Sequence, residues 1–85
     1  MDITFTSILK MYYSQGAVYL GLIEDPVTNK KEKNLAQAKL LIDILTILME
    51  KTKGNLNAEE ESLINEIFTF LNSNYKKQKE SESNS

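Results

Sequence analysis

The chain of 85 residues contains neither cysteine nor histidine. That removes thiol nucleophiles, imidazole bases and the zinc ligand sets built from them. A nucleophile–base pair is left with serine beside lysine or a carboxylate. Ser7, Lys10 and Ser14 share one face of a helical stretch, but on a solvent-facing helix such a trio reads as polar surface. The glycines stand alone at positions 16, 21 and 54, so there is no glycine-rich phosphate loop. Glu59, Glu60 and Glu61 are consecutive. On a helix they point in different directions, which suits dipole complementarity at a helix start better than a cation site. The sequence predicts no catalytic residue, no cofactor or cofactor-binding site, no metal site and no small-molecule ligand. It reads as a protein that is not an enzyme.

The charge balance narrows the partners. Ten lysines stand against twelve acids, arginine is absent, and the net charge is −2. A dedicated nucleic-acid binder shows a basic face and uses arginine forks on phosphate and guanine. Lysines do gather in three places: Lys30, Lys31 and Lys33; Lys51 and Lys53; and Lys76, Lys77 and Lys79. If these converge, they form a modest phosphate-contacting surface, and this supports the alternative of an RNA- or ribosome-associated accessory factor. The bland reading of the same lysines is a solvated loop, a helix-dipole cap and a soluble tail. The opening "MDITFTSILK" begins with an acid and does not read as a signal peptide. The most apolar stretch, Leu35 to Met49, includes Lys39 and Asp43 and falls short of the roughly 20 residues that span a bilayer. A cytoplasmic protein with no membrane association is expected.

These residues must be positioned by helices, and the apolar spacing predicts three. In the first, about 2–21, Phe5, Ile8, Leu9, Tyr12, Gly16, Tyr19, Leu20 and Ile23 recur at three- and four-residue steps and cover about a 120° stripe. Asp2 is placed to cap it and Gly21 to close it. Gly16, inside the stripe, costs about 1 kcal/mol relative to alanine. It either permits a close helix crossing or is a tolerated defect.

The second helix, about 34–53, opens with Asn34 and Gln37 in capping-box spacing and ends at Lys51, Lys53 and Gly54. Lys39, Asp43, Thr46 and Glu50 occupy one narrow ridge, and nearly all else is Leu, Ile, Ala or Met. Asp43 reads as a solubility device paired with Lys39 if the ridge faces water, and as a group needing a buried partner if it does not. A helix so apolar wants neighbours on several sides, and two companions cannot cover it. The third, about 57–76, starts at Asn57 with Glu60 in box position and carries Leu63, Ile64, Ile67, Phe68, Leu71 and Tyr75 on its apolar stripe. Residues 1–75 read as a single helical domain. "KKQKESESNS", 76–85, has no apolar residue and reads as a disordered polar tail.

Between the first two helices runs "GLIEDPVTNKKEKN". Asp25-Pro26 suits the start of a tight turn, and Asn29 tolerates a left-handed backbone. Asp25, Pro26, Val27 and Thr28 are therefore read first as a turn and second as a candidate partner-binding loop. Together with "NL" at 34–35, "ID" at 42–43 and "EKTKGNL" at 50–56, the "LG-I-DPVT" pattern of 20–28 resembles a small bacterial family. It is known as domain of unknown function 1844. The resemblance covers roughly residues 5 to 75. It departs at Glu24, where the family usually has proline, and at Asn29, where it usually has glycine. It implies a helical cytoplasmic protein and brings no activity.

The expectation is an all-α, three-helix unit assembling as a helical homo-oligomer, a dimer first and a complex with another protein second. The surface expected to carry the contact comprises Met11, Val18, Leu40, Ile44 and Ile47. The function expected is a non-enzymatic interaction protein that self-associates through its second helix.

Overall fold

The computed structural model describes residues 4–83 as three helices, α1 (Phe5–Tyr19), α2 (Leu35–Lys51) and α3 (Ala58–Ser83), with no strand among the described residues. Each helix packs on the other two. The Asn34 amide donates to the Tyr19 carbonyl at 2.7 Å, so α2 begins where α1 ends and runs back alongside it. Tyr13 stacks on Phe70 with ring centroids 5.3 Å apart, and Gln78 bonds to the Leu20 carbonyl. Seven residues of α1 thus keep step with eight of α3, and the two helices run the same way.

The core is one cluster to which all three helices contribute. Leu9 and Leu20, Ala38, Leu41, Ile42 and Leu45, and Ile64, Ile67 and Leu71 form it. Each large side chain withdrawn from water there contributes about 1.5–3 kcal/mol. Gly16 lies where Leu71 of α3 packs directly on α1. A Cβ at that position would sit 2.7 Å and 2.8 Å from the two Leu71 methyls and 3.1 Å from Leu41. The close-crossing reading of Gly16 is therefore the one the packing supports, and the propensity cost is offset by a tighter core.

Helix ends follow local chemistry. Asn57 and Glu60 form a reciprocal box, the Asn57 amide donating to Glu60 Oε1 at 3.0 Å and the Glu60 amide to Asn57 Oδ1 at 2.8 Å. Asn34 Oδ1 accepts from the Gln37 amide at 3.2 Å. Only half of that box forms, because the Asn34 amide is spent on Tyr19. Gly21 (φ 73°) and Gly54 (φ 85°) take the left-handed backbone expected after α1 and α2.

Two boundaries differ from the expectation. Asp2 lies outside the described residues, and α1 is capped by Thr4, whose side chain accepts from the Ser7 amide while Ser7 Oγ accepts from the Thr4 amide. The third helix does not stop near 76: it continues to Ser83, and of the tail expected over 76–85, residues 84–85 lie outside the described residues. Two causes are visible. Propagating a helix is far cheaper than nucleating one, and Lys, Gln and Glu are good helix formers. Gln78 also reaches across to α1, its Nε2 donating to the Leu20 carbonyl at 2.8 Å. Replacing Gln78 by leucine keeps the bulk but leaves that carbonyl unpaired, at a cost of about 1–3 kcal/mol. Hydrogen exchange should then speed up at amides 76–83 while those of α2 keep their protection.

Candidate interaction surface

The surface of interest is built from the phase of α2. Its core face is Ala38, Leu41, Ile42 and Leu45, all buried. The charged ridge lies on the far side: Lys39 Nζ meets Asp43 Oδ1 at 2.6 Å with both side chains about half exposed. That decides the two readings of Asp43, which faces water and pairs with the lysine one turn back. The hydrogen bond to Asp43 is the main reason the Lys39 pKa lies above its ordinary 10.5. A raised lysine value favours the folded state in full below the ordinary lysine pKa and is lost as pH climbs through the raised one, so near neutrality the contribution is present and does not vary with pH.

Between core and ridge runs a third stripe, and it is apolar. Leu40 and Ile47 are each 54% exposed, with Ile44 half-buried between them. Residues 40, 44 and 47 follow the i, i+4, i+7 spacing that stacks side chains on one flank. On α1, Met11 is 71% exposed, and it shares an outward concavity with Ile8, Tyr12 and Gln15. Single exposed apolar residues are normal on any surface; a row of them along a helix flank is what marks an interaction site. Of the five residues expected on this surface, Leu40, Ile44 and Ile47 line up, and Met11 is exposed on the neighbouring helix. Val18 is the correction. It is buried at 9% exposure, beside the point where the chain reverses through Gly21, so it belongs to the interior.

The 25–28 loop has the geometry of a turn. The Asp25 carbonyl accepts from the Asn29 amide at 2.7 Å, the Asp25 amide donates to the Lys30 carbonyl at 3.0 Å, and Asp25 Oδ1 accepts from the Val27 amide at 2.8 Å. Asn29 sits at φ 58°, the left-handed conformation that asparagine tolerates. These bonds hold Val27 86% exposed at the tip. A pre-shaped loop presenting an apolar tip is compatible with a contact, but Asp25 and Asn29 are fully accounted for by turning the chain.

The other sequence candidates resolve individually. Ser7 Oγ donates to the Thr4 carbonyl at 2.8 Å, so this serine is engaged in capping, and Lys10 and Ser14 stand exposed. Glu60 is held by its box. Among the described residues no three acidic side chains gather as a metal ion requires, and no helix is long and apolar enough to cross a membrane. The three lysine groups do not converge. Lys30, Lys31 and Lys33 share an end of the bundle with Lys76, Lys77 and Lys79, because the loop and the last turns of α3 both meet the end of α1. Lys51 and Lys53 lie at the opposite end, at the far terminus of α2. Sequence reasoning missed the Tyr13–Phe70 pair, with its rings tilted at 38° on the α1–α3 edge; both residues are partly exposed. The signal was Phe70 falling at the margin of its stripe.

A model of the family described as Domain of unknown function (DUF1844) matches residues 2–77. No curated protein and no solved structure matches the chain.

The contrast between Val18 and the α2 flank can be measured. Val18→Ala should destabilise by about 1–2 kcal/mol in urea unfolding, as buried methyl deletions do. Met11→Ala should stay within about 0.5 kcal/mol.

Proposed function

We propose that this chain, which belongs to the family of Domain of unknown function (DUF1844), is a non-enzymatic interaction protein of the cytoplasm that self-associates as a dimer. The contact is the apolar flank of α2 with the adjoining edge of α1. The observation that carries this reading is the exposed row Leu40, Ile44 and Ile47 on a helix whose opposite faces are already committed to the core and to the Lys39–Asp43 ridge. Covering such a row returns about 25 cal/mol for each Å² of apolar surface removed from water. A domain this small has few other ways to add stability, since with no cysteine or histidine it has neither disulfides nor the usual zinc sites to lean on.

The test is the solution mass by size-exclusion chromatography with light scattering, for the natural chain and for Ile47→Glu. Ile47 is the better probe than Ile44, because a glutamate at a half-buried position disturbs the monomer as well. A dimer is expected for the natural chain. In Ile47→Glu a buried carboxylate would weaken the dimer by about a hundredfold or more, with the far-ultraviolet circular dichroism unchanged. A natural chain that stays monomeric at every accessible concentration would sink the reading.

A second reading keeps one supporting observation, the two lysine groups at the loop end of the bundle. It is an accessory factor that contacts RNA phosphates. RNA binding of that kind loses affinity steeply with salt. Exchanging Lys30, Lys31 and Lys33 for glutamate should abolish it in a filter-binding titration, while the dimer mass stays unchanged.

A further inference from the structure

We infer that residues 76–83, about the last two turns of α3, form a detachable latch. It seats on the end of α1 through Gln78 and releases as one unit while the three-helix core stays folded. The inference rests on neither reading of function, since it concerns the closing end of the bundle and not the α2 flank.

The boundary of the unit is chemical. Tyr75 is the last residue of α3 that packs against the core, and from Lys76 onward no residue is apolar. Lys76, Lys77, Lys79, Glu80 and Ser81 stand exposed, whereas Gln78 is partly buried. Among the described residues, one hydrogen bond ties this stretch to another element: Gln78 Nε2 donates to the Leu20 carbonyl at 2.8 Å, across 58 positions of sequence. Apolar burial is what couples most helices to a core, and here it stops at Tyr75. The turns beyond are held by one polar contact and by their own helical bonds.

Two features leave the closed state little better than the open one. Gln78 uses half of its amide: Nε2 is paired, but Oε1 is buried with no protein donor among the described residues. A buried acceptor without a partner offsets much of what the other half gains. The last turn carries Glu80 and no base, so a carboxylate stands where the helix dipole favours a cation. Good helix formers keep the turns helical once they are seated. The turn around Gln78 must be helical for its amide to reach Leu20, and the turn through Glu80 stands on it, so loss of the one bond frees both together. Release leaves the Leu20 carbonyl open to a new donor, two residues before the exposed Leu22. The latch is closed in this structure, and its opening uncovers that end of the bundle without disturbing the core.

Residue-by-residue hydrogen exchange of the full chain, followed by NMR with and without low urea, reads the opening directly. The expected result is a single step. Amides 78–83 share one low protection that low urea does not change, about a hundredfold or more below that of Ile64, Ile67 and Leu71. Gln78→Leu should lower the shared value several-fold. Glu80→Gln should raise it about two- to fivefold, so the two variants move in opposite directions while the core amides stay unmoved. Protection that falls away gradually toward Ser83 would be ordinary fraying and would overturn the latch. Protection equal to that of Ile67, with the same urea dependence, would overturn it too, because 76–83 would then open only with the core. A step that Gln78→Leu leaves unchanged would remove Gln78 as its catch.

Discussion

The carbonyl groups at the end of α1 determine where the rest of the chain can go. The last carbonyls of a helix have no partner within it, and Leu20 is buried, so water cannot supply one there. The structure answers group by group. The Leu20 amide takes Gly16, Gly21 takes Val18 and Leu22 takes Ala17, the last two being the five-to-two and six-to-one bonds of a left-handed glycine cap. Tyr19 is taken by the Asn34 amide and Leu20 by the Gln78 side chain. The last two bonds come from other elements. They fix the start of α2 and the far turns of α3 to one point, and the direction of both helices follows.

That knot also explains what could be read from the sequence and what could not. Caps and turns depend on residues a few positions apart, so Asn34, Asn57, Gly21, Gly54 and Asn29 behave as their types suggest. The apolar stripes likewise placed the three helices, because a helix face is decided by its own spacing. The end of α3 is also held by a bond between residues 20 and 78, and no local pattern announces that bond. The run from Lys76 onward looks like a tail because nothing in it is apolar, yet it carries good helix formers and a polar side chain that finds a carbonyl at a distant helix end. Val18 was misplaced too: it is buried, although its spacing had left it outside the apolar stripe of α1. The over-apolar second helix was legible as having more surface than two neighbours cover, and Leu40 and Ile47 are where the excess lies.

Gly16 connects these levels. Its missing side chain lets Leu71 approach α1, and Leu71 is fully buried. With α1 and α3 closed on each other, α2 sits in the groove they form and offers them the face through Leu41 and Leu45. The flank through Leu40, Ile44 and Ile47 then has to point sideways. The exposed row stands beside a well-filled core face on the same helix.

The position of that row bears on what kind of function the molecule can have. An interaction protein needs a contact surface that does not compete with the contacts holding its own fold, and the side of α2 meets that condition. Its three roles are separated by helical phase: a core face, an apolar flank and a charged ridge. A partner seated on the flank leaves the loop that presents Val27 untouched, and it also leaves the Tyr13–Phe70 edge, which lies between α1 and α3 away from α2. Pairing through α2 would therefore double the exposed loops and edges without covering either. On the proposed reading, the unit would act by bringing two copies of its remaining surfaces together.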